Sequence, residues 1–84
     1  MLHYITNIVS IADDYTVVCR FNSGENRQIA LKPLLEQLDK TPEIQQLWNT
    51  SYFQKVSLDS YGTLTWDNGA DFCPDVLYNH SVPV

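Results

Sequence analysis

Hydrophobic and polar residues alternate along the first thirty positions, and the period then changes. Tyr4 to Ile11 is rich in β-branched residues, and alternation sets Ile5, Val9 and Ile11 on one face of a strand. Tyr15 to Asn22 alternates again, with Tyr15, Val17, Cys19 and Phe21 on one side and Thr16, Val18, Arg20 and Asn22 on the other. Ala12-Asp13-Asp14 is a short polar hairpin connection. Asn22-Ser23-Gly24-Glu25 is a turn in which Gly24 adopts positive φ at little steric cost. Arg27 to Leu31 is a third strand. These three form an antiparallel meander.

From Leu31 the spacing is helical. Leu31, Leu34, Leu35 and Leu38 fall at i, i+3, i+4 and i+7, with Pro33 near the start. Thr41-Pro42-Glu43 is a stronger start signal: an N-cap, a proline at the first position and an acid in the first turn. Ile44, Leu47 and Trp48 supply the apolar face, and Asn49-Thr50-Ser51 is read as the end of that helix. Gln54, Val56 and Leu58 alternate as a fourth strand. Asp59-Ser60-Tyr61-Gly62 turns, and Thr63 to Trp66 returns as the fifth with Leu64 and Trp66 on one face. Cys73-Pro74-Asp75 launches a last helix over about Pro74 to Asn79, and 81–84 is expected to be a loose tail. The expected fold is α+β: an antiparallel sheet of about five strands, in the order β-β-β-α-α-β-β-α, with short helices on one face.

Eighty-four residues suffice for a single domain, 1–84, and an apolar content of 44% suffices for a core. Met1-Leu2-His3-Tyr4 lacks the basic-then-apolar pattern of a signal peptide, and no apolar run spans a bilayer, so the expected address is cytoplasmic, without a membrane partner. Cys19 and Cys73 are then expected as reduced thiols.

Net charge is −5, unevenly spread. Arg20, Arg27, Lys32, Lys40 and Lys55 all precede Val56. Beyond it stand Asp59, Asp67, Asp71 and Asp75, with no Lys or Arg. Such a field repels phosphate and attracts basic surfaces, which disfavours direct nucleic-acid binding. The same acids also serve as an ordinary solubilising surface.

The most distinctive run is Trp66 through Tyr78: a strand end, a turn on Asn68-Gly69 and the proline-started helix. With Asp14-Tyr15-Thr16, Phe21 with Gly24-Glu25, Leu34-Leu35, Tyr52-Phe53 with Val56, and Gly62-Thr63, it resembles the bacterial family called domain of unknown function 2442 over nearly the whole length. Its signature positions here are Trp66, Asn68, Gly69, Asp71, Cys73, Pro74, Leu77 and Tyr78; the family usually has proline where this chain has Asp67. The resemblance implies a small α+β domain, at times joined to a helix-turn-helix module, which is not expected here. It also implies a neighbouring gene for a small protein of another uncharacterised family (domain of unknown function 4160), an arrangement like a toxin–antitoxin pair.

Candidate chemistry is sparse. Cys73 sits at a helix start, where thiolates are stabilised, but Asp71 and Asp75 oppose ionisation and His80 lies two helical turns away; a small buried helix-entry residue is the expectation. The late aspartates lack calcium-loop spacing, and His3 and His80 lack partners at ligand spacing, so no metal or other cofactor is expected. Asp67-Asn68-Gly69 is turn chemistry, and Asp71 is a candidate cap for the last helix. Seven aromatics (Trp48, Tyr52, Phe53, Tyr61, Trp66, Phe72 and Tyr78) share the acidic half, mostly as core, with Tyr61 at a turn tip as the best exposed exception. The expected function is a non-catalytic, antitoxin-like protein-binding module for a partner with a basic surface, through Asp59, Tyr61, Asp67, Asp71 and Asp75. The alternatives are an acidic inhibitor or decoy blocking an enzyme's nucleic-acid-binding surface, and a thiol-dependent enzyme using Cys73. An exposed sheet edge would also permit a homodimer.

Overall fold

A computed structural model describes residues 3–84. The meander forms as its alternation predicts: β1 (Ile5–Ile11), β2 (Thr16–Phe21) and β3 (Asn26–Ala30) pair antiparallel in that order. Val17, Cys19, Phe21 and Ile29 are buried on one face of this sheet.

β1 departs from simple alternation. Its register against β2 shifts twice, so that Ile5 faces Phe21, Ile8 faces Cys19 and Ile11 faces Val17. Each shift places two β1 residues opposite one of β2: Thr6 and Asn7 opposite Arg20, Val9 and Ser10 opposite Val18. A bulge adds one residue and reverses the inward–outward parity of the strand beyond it. Two bulges convert a period of two into a period of three, and Ile5, Ile8 and Ile11 point inward. Val9, expected with Ile5 and Ile11, is instead 54% exposed.

The hairpin between β1 and β2 ends at Tyr15, whose φ of 68° is left-handed, so β2 begins at Thr16. That backbone is costly for an aromatic residue. The Tyr15 ring packs edge-on to Trp48 and Phe53, and its hydroxyl donates to the Trp48 carbonyl, holding the conformation.

Three short helices come next: α1 (Lys32–Leu38), α2 (Pro42–Gln46) and α3 (Thr50–Phe53). Thr41 caps α2, its hydroxyl accepting the Ile44 N–H at 3.3 Å. Asn49 begins a helix rather than ending one. Its side-chain oxygen accepts the N–H groups of Ser51 and Tyr52 at 3.0 and 3.3 Å, satisfying two orphan donors of α3. Because Gln54 lies at the C-terminal cap of α3, the fourth strand shrinks to β4 (Ser57–Leu58), which pairs with β5 (Leu64–Thr65) in a separate two-stranded sheet. The last helix is α4 (Pro74–Asn79).

The C-terminus is a strand, not a loose tail. β6 (Ser81–Pro83) pairs antiparallel with β3, so the main sheet has four strands in the order β1-β2-β3-β6. Ser81 lies opposite Ile29 and is buried. Its hydroxyl donates to the Tyr78 carbonyl and accepts from Arg27 Nε, both at 2.5 Å. The β3 pairing and the Arg27 bond are non-local, and a four-residue polar-aliphatic segment does not announce them.

One core joins the sheet to the helices. Leu31, Leu34 and Leu35 of the first helical segment, Ile44, Leu47, Phe53, Leu64, Trp66, Phe72 and Leu77 form one buried cluster with the inward residues of the meander. Leu38, fourth in the predicted stripe, is instead 45% exposed, because α1 ends there. Trp66 donates its indole N–H to the Phe53 carbonyl at 3.0 Å, tying β5 to α3. Among the described residues, no helix is long and apolar enough to cross a membrane.

Candidate functional site

The Asn68-Gly69 turn is the best-built surface feature. Gly69 adopts φ 94° and donates to the Trp66 carbonyl at 3.1 Å, and Trp66 N–H donates to the Ala70 carbonyl at 3.0 Å. Asn68 works in two directions. Its Oδ1 accepts the Ala70 N–H at 2.9 Å, as Asx turn chemistry predicts, while Nδ2 donates to the Glu43 carbonyl at 3.1 Å and to Gln46 Oε1 at 2.9 Å. The turn is thereby fastened to α2. On its other side the Tyr52 hydroxyl accepts the Asn68 N–H at 3.0 Å and donates to the Asp67 carboxylate. That carboxylate holds the Tyr52 phenol above its ordinary value, since ionisation would lose the bond and set two negative charges together.

Between this turn and α2 lies an open groove of about 350 Å³, lined by Leu38, Glu43, Ile44, Gly69, Ala70 and Asp71 among others. Ile44 and Ala70 are nearly buried and form its floor; Leu38, Glu43 and Asp71 are exposed beside them. Glu43 and Leu38 were not among the expected site residues. They lie some 25 residues or more before the turn, and the Asn68–Glu43 contact that brings them there is not visible in local spacing.

Asp59 and Tyr61 lie elsewhere. Asp59 Oδ1 accepts the N–H groups of Tyr61 at 2.9 Å and Thr63 at 3.1 Å, closing the β4–β5 turn. Tyr61 is 70% exposed at its tip, as expected. Together with Tyr4, Leu58 and Gly62 they line a second open depression of about 530 Å³. The Gly62 carbonyl accepts the Ile5 N–H at 2.7 Å, which seats this hairpin on β1.

The start of α4 corrects two expectations. Cys73 is exposed rather than buried. It holds an extended backbone (φ −69°, ψ 127°) between buried Phe72 and Pro74, so the alternation of an extended chain turns its side chain outward. Asp71 does not cap the helix, for no side chain caps α4; it forms an isolated bridge with Thr65 across the turn. Asp75 accepts the His3 N–H at 3.0 Å, and the His3 ring stacks on Tyr78 with centroids 3.8 Å apart.

Tyr78 is also the hub of a contact network that sequence spacing conceals. Its hydroxyl donates to Glu25 Oε1 at 3.0 Å, and the Arg27 guanidinium lies 4.3 Å from its ring centroid. Arg27 also pairs with Glu25 at 2.9 Å and donates to the Ser81 carbonyl at 3.1 Å. Hydrogen bonds from Ser23, Tyr78 and Arg27 hold the Glu25 carboxyl below its usual range. This cluster locks α4 and β6 onto β3, an architectural role for a signature tyrosine.

The five expected binding residues therefore do not converge on one depression. Asp71 walls the groove, Asp59 and Tyr61 the second depression; Asp67 is engaged by Tyr52, and Asp75 by His3. Among the described residues, no three His, Cys, Asp or Glu side chains gather as a metal site.

Comparison with curated proteins and with solved structures finds no match. The family comparison does: the profile described as "Protein of unknown function (DUF2442)" matches residues 8–83. That span takes in the meander from Ile8 onward, the helices, the signature turn and β6, and the chain belongs to the DUF2442 family.

Proposed function

We propose that this chain is a non-catalytic binding module for a protein with a basic surface, docked in the groove between α2 and the Asn68-Gly69 turn. One observation carries the reading. Glu43 and Asp71 flank an apolar floor of Ile44 and Ala70, and neither makes an ion pair; among the described residues the one ion pair joins Arg27 to Glu25. An incoming Lys or Arg lays its methylene stem on such a floor and sets its head among the carboxylates. The rigid turn keeps the geometry in place before binding, which lowers the ordering cost. The rest of the C-terminal third adds a negative field that speeds the encounter.

The small protein encoded beside the gene, as the family resemblance implies, is the partner to try first; the antitoxin-like role rests on it, and the groove requires that it carry a basic surface. Co-expression and pull-down test for the complex, and titration calorimetry then measures it. Asp71→Lys should weaken binding by about tenfold or more, and rising salt should weaken it further, because exposed charges are screened. No complex at micromolar concentration, or one indifferent to Asp71→Lys, defeats the proposal.

A further inference from the structure

Helices cover one face of the main sheet, and the other face is bare. Alternation and register define it. Val17, Cys19, Phe21 and Ile29 point to the core, so Thr16, Val18, Arg20, Gln28 and Ala30 point away. The pairing then lines up rows across the strands. Val9 and Ser10 lie opposite Val18, Val18 opposite Gln28, and Gln28 opposite Val82. Beside that row run Thr6 and Asn7, Arg20 and Asn26, with Val84 N–H donating to the Asn26 carbonyl at 3.2 Å; on its other side Thr16 faces Ala30. Val9 and Val82 are 54% and 56% exposed.

The composition of this face is unusual for a solvated sheet surface. The chain carries ten acidic and five basic residues, yet Arg20 is the one charged side chain among these positions. Valines, amides and hydroxyls make up nearly all the rest. Depletion of charge from a contiguous patch is a mark of interface cores.

We propose that this face packs against the same face of a second copy of the chain, forming a two-fold dimer. Charge selects the occupant. Two chains of net charge −5 repel at most approaches, and this face presents no carboxylate to its twin. A basic partner would find no counter-charge here. Amide and hydroxyl groups both donate and accept, so the face complements itself. A two-fold axis along the Val9–Val82 row stacks that row on its counterpart and sets each Arg20 over the Thr16–Ala30 row of the other copy, keeping the guanidinium groups apart. The α2 groove lies on the helical side and stays open.

The dimer is a weak one. Four strands about 4.8 Å apart and about five residues long at roughly 3.3 Å each give a face on the order of 300 Å² in plan. Stable dimers bury about 800 Å² per partner, so this contact belongs to the transient class.

Sedimentation velocity between about 10 μM and about 1 mM should show a reversible monomer–dimer equilibrium. Val9→Lys and Val82→Lys, at exposed positions, should each weaken it by about tenfold or more, whereas Gln45→Lys on the helical side should leave it unchanged. Concentration-dependent amide shifts in the unaltered chain should map to Ser10, Val18, Gln28 and Val82, which keeps the test independent of any variant. A monomer throughout the range overturns the proposal, as does a dimer insensitive to both lysines. Shifts confined to the Tyr4–Tyr61 depression or the α2 groove do so too.

Discussion

Gly62 and Gly24 share a left-handed backbone and differ in what surrounds them, which makes them a matched pair. Their φ values are 75° and 88°. A Cβ built at Gly62 would lie 2.8 Å from Tyr4 Cβ and 3.1 Å from the Ile5 carbonyl oxygen, whereas one at Gly24 meets nothing within 4 Å. Alanine at Gly24 thus suffers the backbone penalty alone, about 1–2 kcal/mol. At Gly62 the same penalty is joined by overpacking, commonly about 1–3 kcal/mol, for a total near 3 kcal/mol. Relief is hard to find. The nearest atom is a Cβ rather than the tip of a flexible side chain, and retreat of the hairpin stretches the 2.7 Å bond from Ile5 N–H to the Gly62 carbonyl. A domain of this size holds roughly 4–13 kcal/mol in all, so Gly62→Ala should remove a large share. Urea unfolding followed by tryptophan fluorescence measures both variants under one set of conditions. Equal destabilisation within about 0.5 kcal/mol would show that the β4–β5 hairpin does not press on β1, and the reasoning would fail.

The two thiols should separate cleanly: in native protein at mildly alkaline pH an aromatic disulfide reagent should modify exposed Cys73 promptly and buried Cys19 only on unfolding. Burial pushes the Cys19 thiol from 9.0 up to about 12, because desolvation disfavours the thiolate. Below 9.0 both states keep the proton; from 9.0 towards 12 the unfolded chain releases one that the folded chain retains, so stability falls as pH rises. Cys19→Ala should lose that component, seen as a shallower alkaline decline in the urea midpoint than the parent shows. Removing residues 81–84 should cost about 2 kcal/mol or more through the lost β3 pairing and Arg27 contacts, read as a lower melting temperature. A truncation without effect would restore the loose tail. Trp66→Phe should cost about 0.5–1.5 kcal/mol for the lost indole hydrogen bond, because the Phe53 carbonyl still accepts the Val56 N–H at 3.2 Å, measured the same way.

The α+β class, the meander and the proline-started helix are legible in the sequence because each rests on local signals. Period-two alternation in β2, Thr41 before Pro42, and Cys73-Pro74-Asp75 act within a few residues of themselves. The signature turn is legible for the same reason, since Asn68 bonds the backbone two residues on. Asn49 misleads because its residue type suits either side of a helix boundary, and the tertiary fold chooses the start.

Only the folded chain decides the relations between distant segments. The inward spacing of Ile5, Ile8 and Ile11 exists because β2 sets the register against which β1 bulges. β6 is a strand because Arg27 and Ile29 wait opposite it, more than fifty residues earlier in the chain. The groove likewise appears when Asn68 reaches across to Glu43, and the charge-poor sheet face when four separate strands align their outward residues. Local propensity is carried by neighbours along the backbone. Register, grooves and faces are properties of pairing, and pairing is settled by which apolar surfaces the whole chain can bury together.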